Sequence, residues 1–257
     1  MHHFRTVFLS DLHLGTRDCK ADLLLQCLEQ IRTRHIYLLG DVIDMWALSR
    51  GSAWPAAHSA VLDKLRQLAC EGVRITYIPG NHDAPLRHYT GVFPDQVEVV
   101  RESHHRTARG ERLLLIHGDC FDQAMHCAPW LYWLGDRAYD LLLLINRFNG
   151  RISRWRGLPY WSLAGFIKAR IGVARRLLAT YARLATGHAR SRGFEGVICG
   201  HIHHPALEHI DGQLYGNCGD WVESCTLLAE HPDGKLQLLD LPTLLTEPHR
   251  DRALHAA

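Results

Sequence analysis

No stretch of this chain is apolar for long enough to cross a membrane. The best candidate, Trp130 to Phe148, carries Asp136, Arg137 and Asp140 inside it. Its uninterrupted apolar part, Leu141 to Ile145, falls far short of the roughly 20 residues a spanning helix needs. Cys-x-x-Cys pairs are also missing: the eight cysteines, at 19, 27, 70, 120, 127, 199, 218 and 225, follow no framework spacing. That argues against a disulfide or zinc scaffold and for reduced, mostly buried thiols. No basic, apolar leader is present, since Met1-His2-His3 runs directly into strand-like residues; the expectation is a cytoplasmic protein. Internal repeats and low-complexity tracts are absent. One region also lacks acid. Between Leu141 and Phe194 there is no Asp or Glu but eleven Lys and Arg, so with the whole chain at +2 the remainder sums to −9.

What is present is a repeated design. Ile36-Tyr37-Leu38-Leu39 reads as a short buried strand and leads into Gly40-Asp41-Val42-Ile43-Asp44, where the glycine lets the backbone turn into a reactive loop. Four other apolar runs end in the same manner: at Asp11-Leu12-His13, Gly80-Asn81-His82-Asp83, His117-Gly118-Asp119 and Gly200-His201-Ile202-His203. Strand ends that repeatedly deliver Asp, Asn and His imply one site where they converge.

Around these strands the pattern predicts an α/β core. A helix is expected near Ala21 to Thr33 with Asp18 as its cap, and another from Ala56 to Cys70, ended by Glu71-Gly72. A strand follows over Arg74 to Ile78. Val97 to Val100 and Leu113 to Ile116 are expected to pair as a hairpin, and Ser224 to Ala229 to pair with Lys235 to Leu239 around Pro232-Asp233-Gly234. From Phe121 to about Arg192 the strand rhythm stops and the residues read as helical. The expected organisation is therefore a core of residues 1–120 and 193–246, a helical basic insert over 121–192 acting as a cap, and a frayed tail over 247–257. Of the 19 histidines, His2, His3, His104, His105, His231, His249 and His255 read as surface residues.

Asp11-x-His13 and His201-x-His203, read as extended segments, each present both side chains to one side. With a shared carboxylate they supply two adjacent cation sites of mixed nitrogen and oxygen donors, which suit manganese, iron or zinc. Two such cations generate hydroxide from water and clamp the oxygens of a phosphoryl displacement. Taken singly, each motif has a plain structural reading: Gly-Asp-x-x-Asp as a loop turn, Gly-Asn-His-Asp as an Asx turn, His117 as a hydrogen-bonded strand-end residue. It is their joint occurrence that points to chemistry.

In that order and across most of the chain, the five motifs resemble those of the calcineurin-like metallophosphoesterase superfamily. The resemblance implies a pair of stacked sheets flanked by helices and two divalent cations, manganese first and iron or zinc as alternatives. Carried over to these positions, it places one cation on Asp11, His13, Asp41 and His203, and the other on Asp41, Asn81, His117 and His201, with Asp41 bridging. His82 becomes the general acid or phosphate-contacting group, oriented by Asp44. Within the superfamily the chain is most similar to the UDP-2,3-diacylglucosamine pyrophosphatases of lipid A synthesis. The similarity rests on the opening Phe8 to Gly15, a Gly-Asp-x-x-Asp-x-Trp ending at Trp46, His117-Gly118-Asp119, the helical insert and Gly219-Asp220-Trp221. Where those enzymes typically carry arginine this chain has His82, which marks a paralogue and leaves its substrate open.

The insert carries an apolar helical face from Leu163 to Leu184 with Lys168, Arg175, Arg176 and Arg183 off it. Arg170 falls within the apolar arc, where it needs an anionic partner or has to snorkel its head group out to water. Arg170, Arg175 and Arg176 are the expected substrate-phosphate contacts. The plain reading is a solvated basic helix; the functional one is a cap that covers the site and docks on an anionic membrane surface, at the inner membrane face, or on a lipid-linked diphosphate. Nucleic acid ranks lower, because no recognisable module for it accompanies the segment; no protein partner is implied. The expectation is a two-metal hydrolase of phosphoester or pyrophosphate bonds in a nucleotide-linked glycolipid. The alternatives are a phosphomonoesterase, cyclic-nucleotide phosphodiesterase or nuclease of the same superfamily, and last a non-catalytic scaffold.

Overall fold

Strands buried on both faces account for the apolar runs. In the computed structural model, which describes residues 1–92, 97–125 and 172–246, successive residues of one strand enter different cores. The chain opens with β1 (His2–His3), β2 (Thr6–Leu9), α1 (Ala21–Gln30), β3 (Ile31–Arg32), β4 (His35–Leu39), α2 (Met45–Ser49), α3 (Ala56–Cys70) and β5 (Arg74–Ile78). It continues through β6 (Gly91–Val92), β7 (Val97–Val99), β8 (Ser103–Arg106) and β9 (Arg112–Leu115). After α4 (Gly172–Ser191) come β10 (Gly196–Cys199), β11 (Ala206–Ile210), β12 (Gln213–Asn217), β13 (Thr226–Glu230), β14 (Leu236–Asp240) and α5 (Leu241–Thr246). The membrane candidate Trp130 to Phe148, Cys127, Arg170, the central part of the insert and the tail lie outside the described residues.

Two main sheets result, a seven-stranded one in the order β14-β13-β2-β4-β5-β7-β6 and a five-stranded one in the order β11-β12-β10-β9-β8. Val7, Leu9, Ile36, Leu38 and Ile75 pack outward with Leu24 and Leu28 of α1 and Val61 and Leu65 of α3. The alternate residues Phe8, Tyr37, Leu39 and Ile78 face Leu113, Leu115, Ile198 and Leu214 of the other sheet. Leu114, Val197, Cys199 and Tyr215, on that sheet's far face, meet Tyr181, Ala182, Ala185 and Ala189 of α4. The order is helices, sheet, sheet, helix, as the period of two requires when both faces of a strand are covered. β2, β4, β5 and β7 run parallel, and so do β9, β10 and β12, so the loops at their carboxyl ends gather at one end of the sandwich.

Several expectations are corrected. No side chain caps α1, which follows Lys20 rather than Asp18, and it stops at Gln30 because Ile31 and Arg32 leave to pair with β1. Val97–Val99 and Arg112–Leu115 do not form a hairpin: they belong to different sheets, and β9 turns back onto Ser103–Arg106 instead. His2 and His105 are buried rather than on the surface, His2 against the Leu244 carbonyl and His105 against Glu230. The pairing of β13 with β14 and the span of α3 match the sequence pattern. Of the seven described cysteines, Cys27, Cys199, Cys218 and Cys225 are buried, and all seven are free thiols.

Candidate metal centre

The loops that leave β2 and β4 stay hydrogen-bonded side by side beyond the strands. Asp11 N–H donates to the Gly40 carbonyl (3.0 Å), His13 N–H to Asp41 (2.9 Å) and Asp44 N–H to Leu14 (2.8 Å). In the other sheet, Gly200 N–H donates to the His117 carbonyl (3.0 Å) and joins the loops after β9 and β10. The paired histidines and carboxylates are not on extended backbone, as their spacing suggested. Asp11, His13, Asp41, His201 and His203 all hold positive φ, between 50° and 71°. Asp and His tolerate this left-handed region better than branched residues, yet each still costs on the order of 1 kcal/mol or more. Five such residues in one place mark a site that the surrounding fold forces into shape. Gly40 (φ +87°) and Gly80 allow the close approach: a Cβ on either would collide with the His117 ring, and at Gly80 also with the Asp41 carboxylate.

These loops bring together all seven expected ligands. Asp11, His13 and His203 converge, as do Asp41, His117 and His201, and a third grouping joins His13, Asp41 and His82. Asp41 Oδ2 lies 3.3 Å from His117 Nε2, 3.9 Å from His82 Nε2 and 4.0 Å from His13 Nε2. Asn81 Oδ1 is 3.1 Å from His117 Nε2, and His203 Nε2 is 3.1 Å from His13 Nε2. Burial pushes the Asp11 carboxyl up, but the charge and contact of His203, then His117 and His13, hold it well below the usual carboxylate range. His117 behaves inversely: burial lowers it, while Asp41, then Asp11 and the Leu39 carbonyl, raise it to about 10. The cluster is a buried anionic hole that draws positive charge, from protons or from cations.

Donor chemistry fits cations. His13 Nδ1 is held by Asp44 Oδ2 (3.1 Å), His117 Nδ1 by the Leu39 carbonyl (2.7 Å), and His201 Nε2 by Asp122 Oδ1 (2.7 Å). Each contact fixes one ring nitrogen as the N–H and leaves the other as a lone pair for the cluster, the arrangement found behind metal-binding histidines. Asp11 Oδ2 accepts from Ser10 Oγ and His201 N–H, whereas Oδ1 is buried with no hydrogen-bond partner, lying 3.1 Å from His203 Nε2 but off the hydrogen-bond line.

His82 and Asp44 sit beside this hole. His82 Nδ1 approaches Asp44 Oδ2 at 2.9 Å, short of hydrogen-bond alignment, the His82 backbone N–H donates to Asp41 Oδ1 (2.8 Å), and the ring lies against the half-exposed Trp46 at 4.2 Å. Asp44 also accepts from Ala47 N–H (2.6 Å) at the start of α2. Burial raises its carboxyl, but the contacts of His13, His82 and Ala47 hold it far below the ordinary range. Arg175 and Arg176 are exposed near the start of α4, and Arg170 is outside the described residues.

Sequence reasoning singled out Asp83 and Gly219-Asp220-Trp221 without a supporting role, and missed Asn217 and Asp122. Asp83, fully buried, accepts from Val42 N–H (2.7 Å), Gly80 N–H (2.5 Å) and the Tyr77 hydroxyl, and so ties the Asp41 loop to the Asn81 loop. Asn217 Nδ2 donates to the Gly200 carbonyl (2.7 Å), and Trp221 N–H to the Asp11 carbonyl (3.0 Å). Asp220 accepts from Val222 N–H (2.8 Å) and Glu223 N–H (2.5 Å). Gly219-Asp220-Trp221 is therefore a rigid turn behind Asp11. Asp122, five residues past His117, carried no signal, because it stands on a turn with no preceding strand.

Comparison with known proteins agrees with this geometry. The family model described as calcineurin-like phosphoesterase matches residues 4–205. A UDP-2,3-diacylglucosamine hydrolase of Nitrosococcus oceani is 27% identical over 247 residues, covering 89% of this chain and 92% of that protein. The enzyme of the same name from Xanthomonas campestris pv. campestris is 28% identical over 260 residues, covering 89% and 96%. Among solved structures, an archaeal phosphodiesterase aligns with a TM-score of 0.44 at 11% identity, covering 91% of this chain and 98% of that one. With the family model spanning most of the chain and the motif loops meeting in one anionic hole, the chain belongs to the calcineurin-like phosphoesterases and is a metal-dependent phosphohydrolase.

Proposed function

We propose that the chain is a two-metal hydrolase of pyrophosphate bonds acting on a nucleotide-linked glycolipid, UDP-2,3-diacylglucosamine or a similar amphiphile. The observation that carries the two-metal reading is Asp41, whose carboxylate lies between the His13 and His117 nitrogens. On this reading Asp11, His13, Asp41 and His203 hold one cation, and Asp41, Asn81, His117 and His201 the other. The donor set favours manganese, with iron or zinc compatible. When bound, such cations lower the pKa of water and draw charge from phosphoryl oxygens. The chain's own residues supply the rest. His82, steadied by Asp44 and Trp46, presents Nε2 towards the cluster, where it protonates the departing oxygen or contacts the phosphate. The residues 121–192, with Arg170, Arg175 and Arg176, form a basic cap that meets the substrate's phosphate and an anionic membrane surface. No helix among the described residues is long and apolar enough to cross a membrane. The substrate class rests on the relatives' names together with the basic, aromatic composition of the insert.

A second reading, a diesterase of broader range, is favoured by His82 standing where the resemblance carries arginine. One assay separates the two. Purified protein loaded with Mn2+ is expected to release UMP from UDP-2,3-diacylglucosamine, read by mass spectrometry of both products. Turnover of bis-p-nitrophenyl phosphate without cleavage of the lipid-linked diphosphate moves the assignment to the second reading.

A further inference from the structure

His13, His117 and His201 are each held at one ring nitrogen, and the hold on His201 differs from the other two. The partners of His13 and His117 are interior, since Asp44 and Leu39 are both buried, and both belong to β4 and the loop that carries Asp41. The partner of His201 is Asp122, whose side chain is 47% exposed against 14% for His201 itself. Asp122 comes from another part of the chain, just past the turn Asp119–Phe121, where residues 121–192 leave the sheets. Its N–H donates to the Asp119 carbonyl (3.2 Å), and its own carbonyl accepts from Met125 N–H (3.3 Å), so the turn is closed on both sides.

The other described end of that segment arrives at the same histidine. Tyr181 of α4 is fully buried; its ring lies 6.3 Å from that of His201, and its hydroxyl faces the Gly200 carbonyl at 3.5 Å. That hydroxyl fills the space a Cβ on Gly118 would need. Phe121 joins the two ends, edge-on to Tyr181 (5.6 Å) and to His188 of α4 (5.7 Å). Where Asp122 stands is thus fixed by how α4 packs on the five-stranded sheet, not by the strands that carry the other candidate ligands.

We infer that Asp122 is a positioning residue for His201. It holds the ring through Nε2 and places a negative charge behind it, and so makes the cation on the His201 side depend on how the 121–192 segment sits on the sheets. The inference rests on the two-cation reading proposed above and deepens it. A carboxylate behind a ligand histidine fixes its tautomer and raises its basicity, and losing such a partner costs about 10–100-fold in metal affinity. The His13 side has its own carboxylate in Asp44 and no contact with Asp122 among the described residues. The effect should therefore fall on one cation.

Titration of the metal-stripped full chain with Mn2+, followed by the EPR signal of the unbound ion, tests this without turnover. Wild type is expected to take up two ions. Asp122→Ala should weaken one of them about 10–100-fold and leave the other unchanged. Asp122→Asn keeps an acceptor for His201 but no charge, and should fall between the two. Gln123→Ala, an exposed neighbour on the same turn, should match wild type. The metal-free proteins should share one melting temperature, because Asp122 is at the surface; that separates a lost contact from a lost fold. Equal uptake by wild type and Asp122→Ala overturns the inference, and so does equal weakening of both ions. If wild type takes up a single ion, the two-cation reading falls. Asp122 then stands as a positioning residue if its loss weakens that ion, and falls if it does not.

Discussion

Asp44 serves two histidines at once, and that sharing changes what its loss does. Its Oδ2 faces His13 Nδ1 at 3.1 Å and His82 Nδ1 at 2.9 Å, and its Oδ1 caps α2 through Ala47 N–H. Sequence alone gives Asp44 only the His82 role, so its loss would read as a weaker version of losing His82. The geometry separates the two. His82→Ala removes no expected cation ligand and should keep both metals, while turnover falls by about 10²–10⁴-fold on poor leaving groups and far less on good ones, as for a lost general acid. Asp44→Asn should show that same slope and also lose metal from the His13 side, because His13 loses the partner that fixes its tautomer. Elemental analysis beside a leaving-group series reads both effects. An Asp44→Asn protein with full metal content would show that the Asp44 contact does not support His13.

At the scale of elements, the site is a set of loops braced by one buried carboxylate. Asp83 receives N–H groups from the loops after β4 and β5 and the hydroxyl of Tyr77 from within β5. Asp83→Asn keeps the shape but turns an acceptor oxygen into a donor facing N–H groups, leaving buried donors unpaired at about 1–3 kcal/mol. Lower stability in denaturant melts is expected, together with weaker metal retention even though Asp83 is not an expected ligand. The same elements show why the pattern was readable in part. Strands such as Ile36–Leu39 and Val197–Cys199 are buried on both faces, so continuous apolar runs betrayed them. β8, Ser103–Arg106, is an edge strand with only His105 buried, and β11 has no buried residue. β8 contains no apolar residue, so the sequence pattern does not reveal it as the partner of β9, while Ala206, Leu207 and Ile210 of β11 are only partly buried. The candidate ligands are legible because each follows a strand; Asp122 and Asn217 are not, since their roles depend on contacts 79 and 17 residues away.

Across the whole molecule, the two sheets are tied at both ends. At one end Glu230 of β13, fully buried, accepts from Arg5 (2.6 Å) and from His105 of the other sheet (2.8 Å). Burial raises its carboxyl, but His105, Ala108 N–H and Arg5 outweigh it and hold it below the ordinary range. A depressed carboxyl stabilises the fold above its unfolded value and loses that contribution as pH falls through its folded value. His35, nearby on β4, is lowered from 6.5 to about 3, by burial first and then by Arg74, His105 and Arg5. The unfolded chain takes that proton first, so stability declines as pH drops from 6.5 towards 3, and His35→Gln should flatten the melting curve across that window. At the other end, Asp11, His13, Asp41 and Asn81 come from the seven-stranded sheet and His117, His201 and His203 from the five-stranded one. Cations bound by these residues would tie the two sheets together. A ligand bound only to the folded state stabilises it by about 2.7 kcal/mol at a hundredfold excess over its Kd. For a chain of this size that amounts to roughly 5–10 °C in melting temperature. Chelation of the loaded wild-type protein at pH 7.5 is therefore expected to lower Tm by that order. On the proposed two-metal reading, Asp41→Asn could not offset two adjacent dications, so it should lose both metals and show almost no response to the chelator. Two metals per chain in Asp41→Asn, with an undiminished chelator response, would remove Asp41 from the bridge.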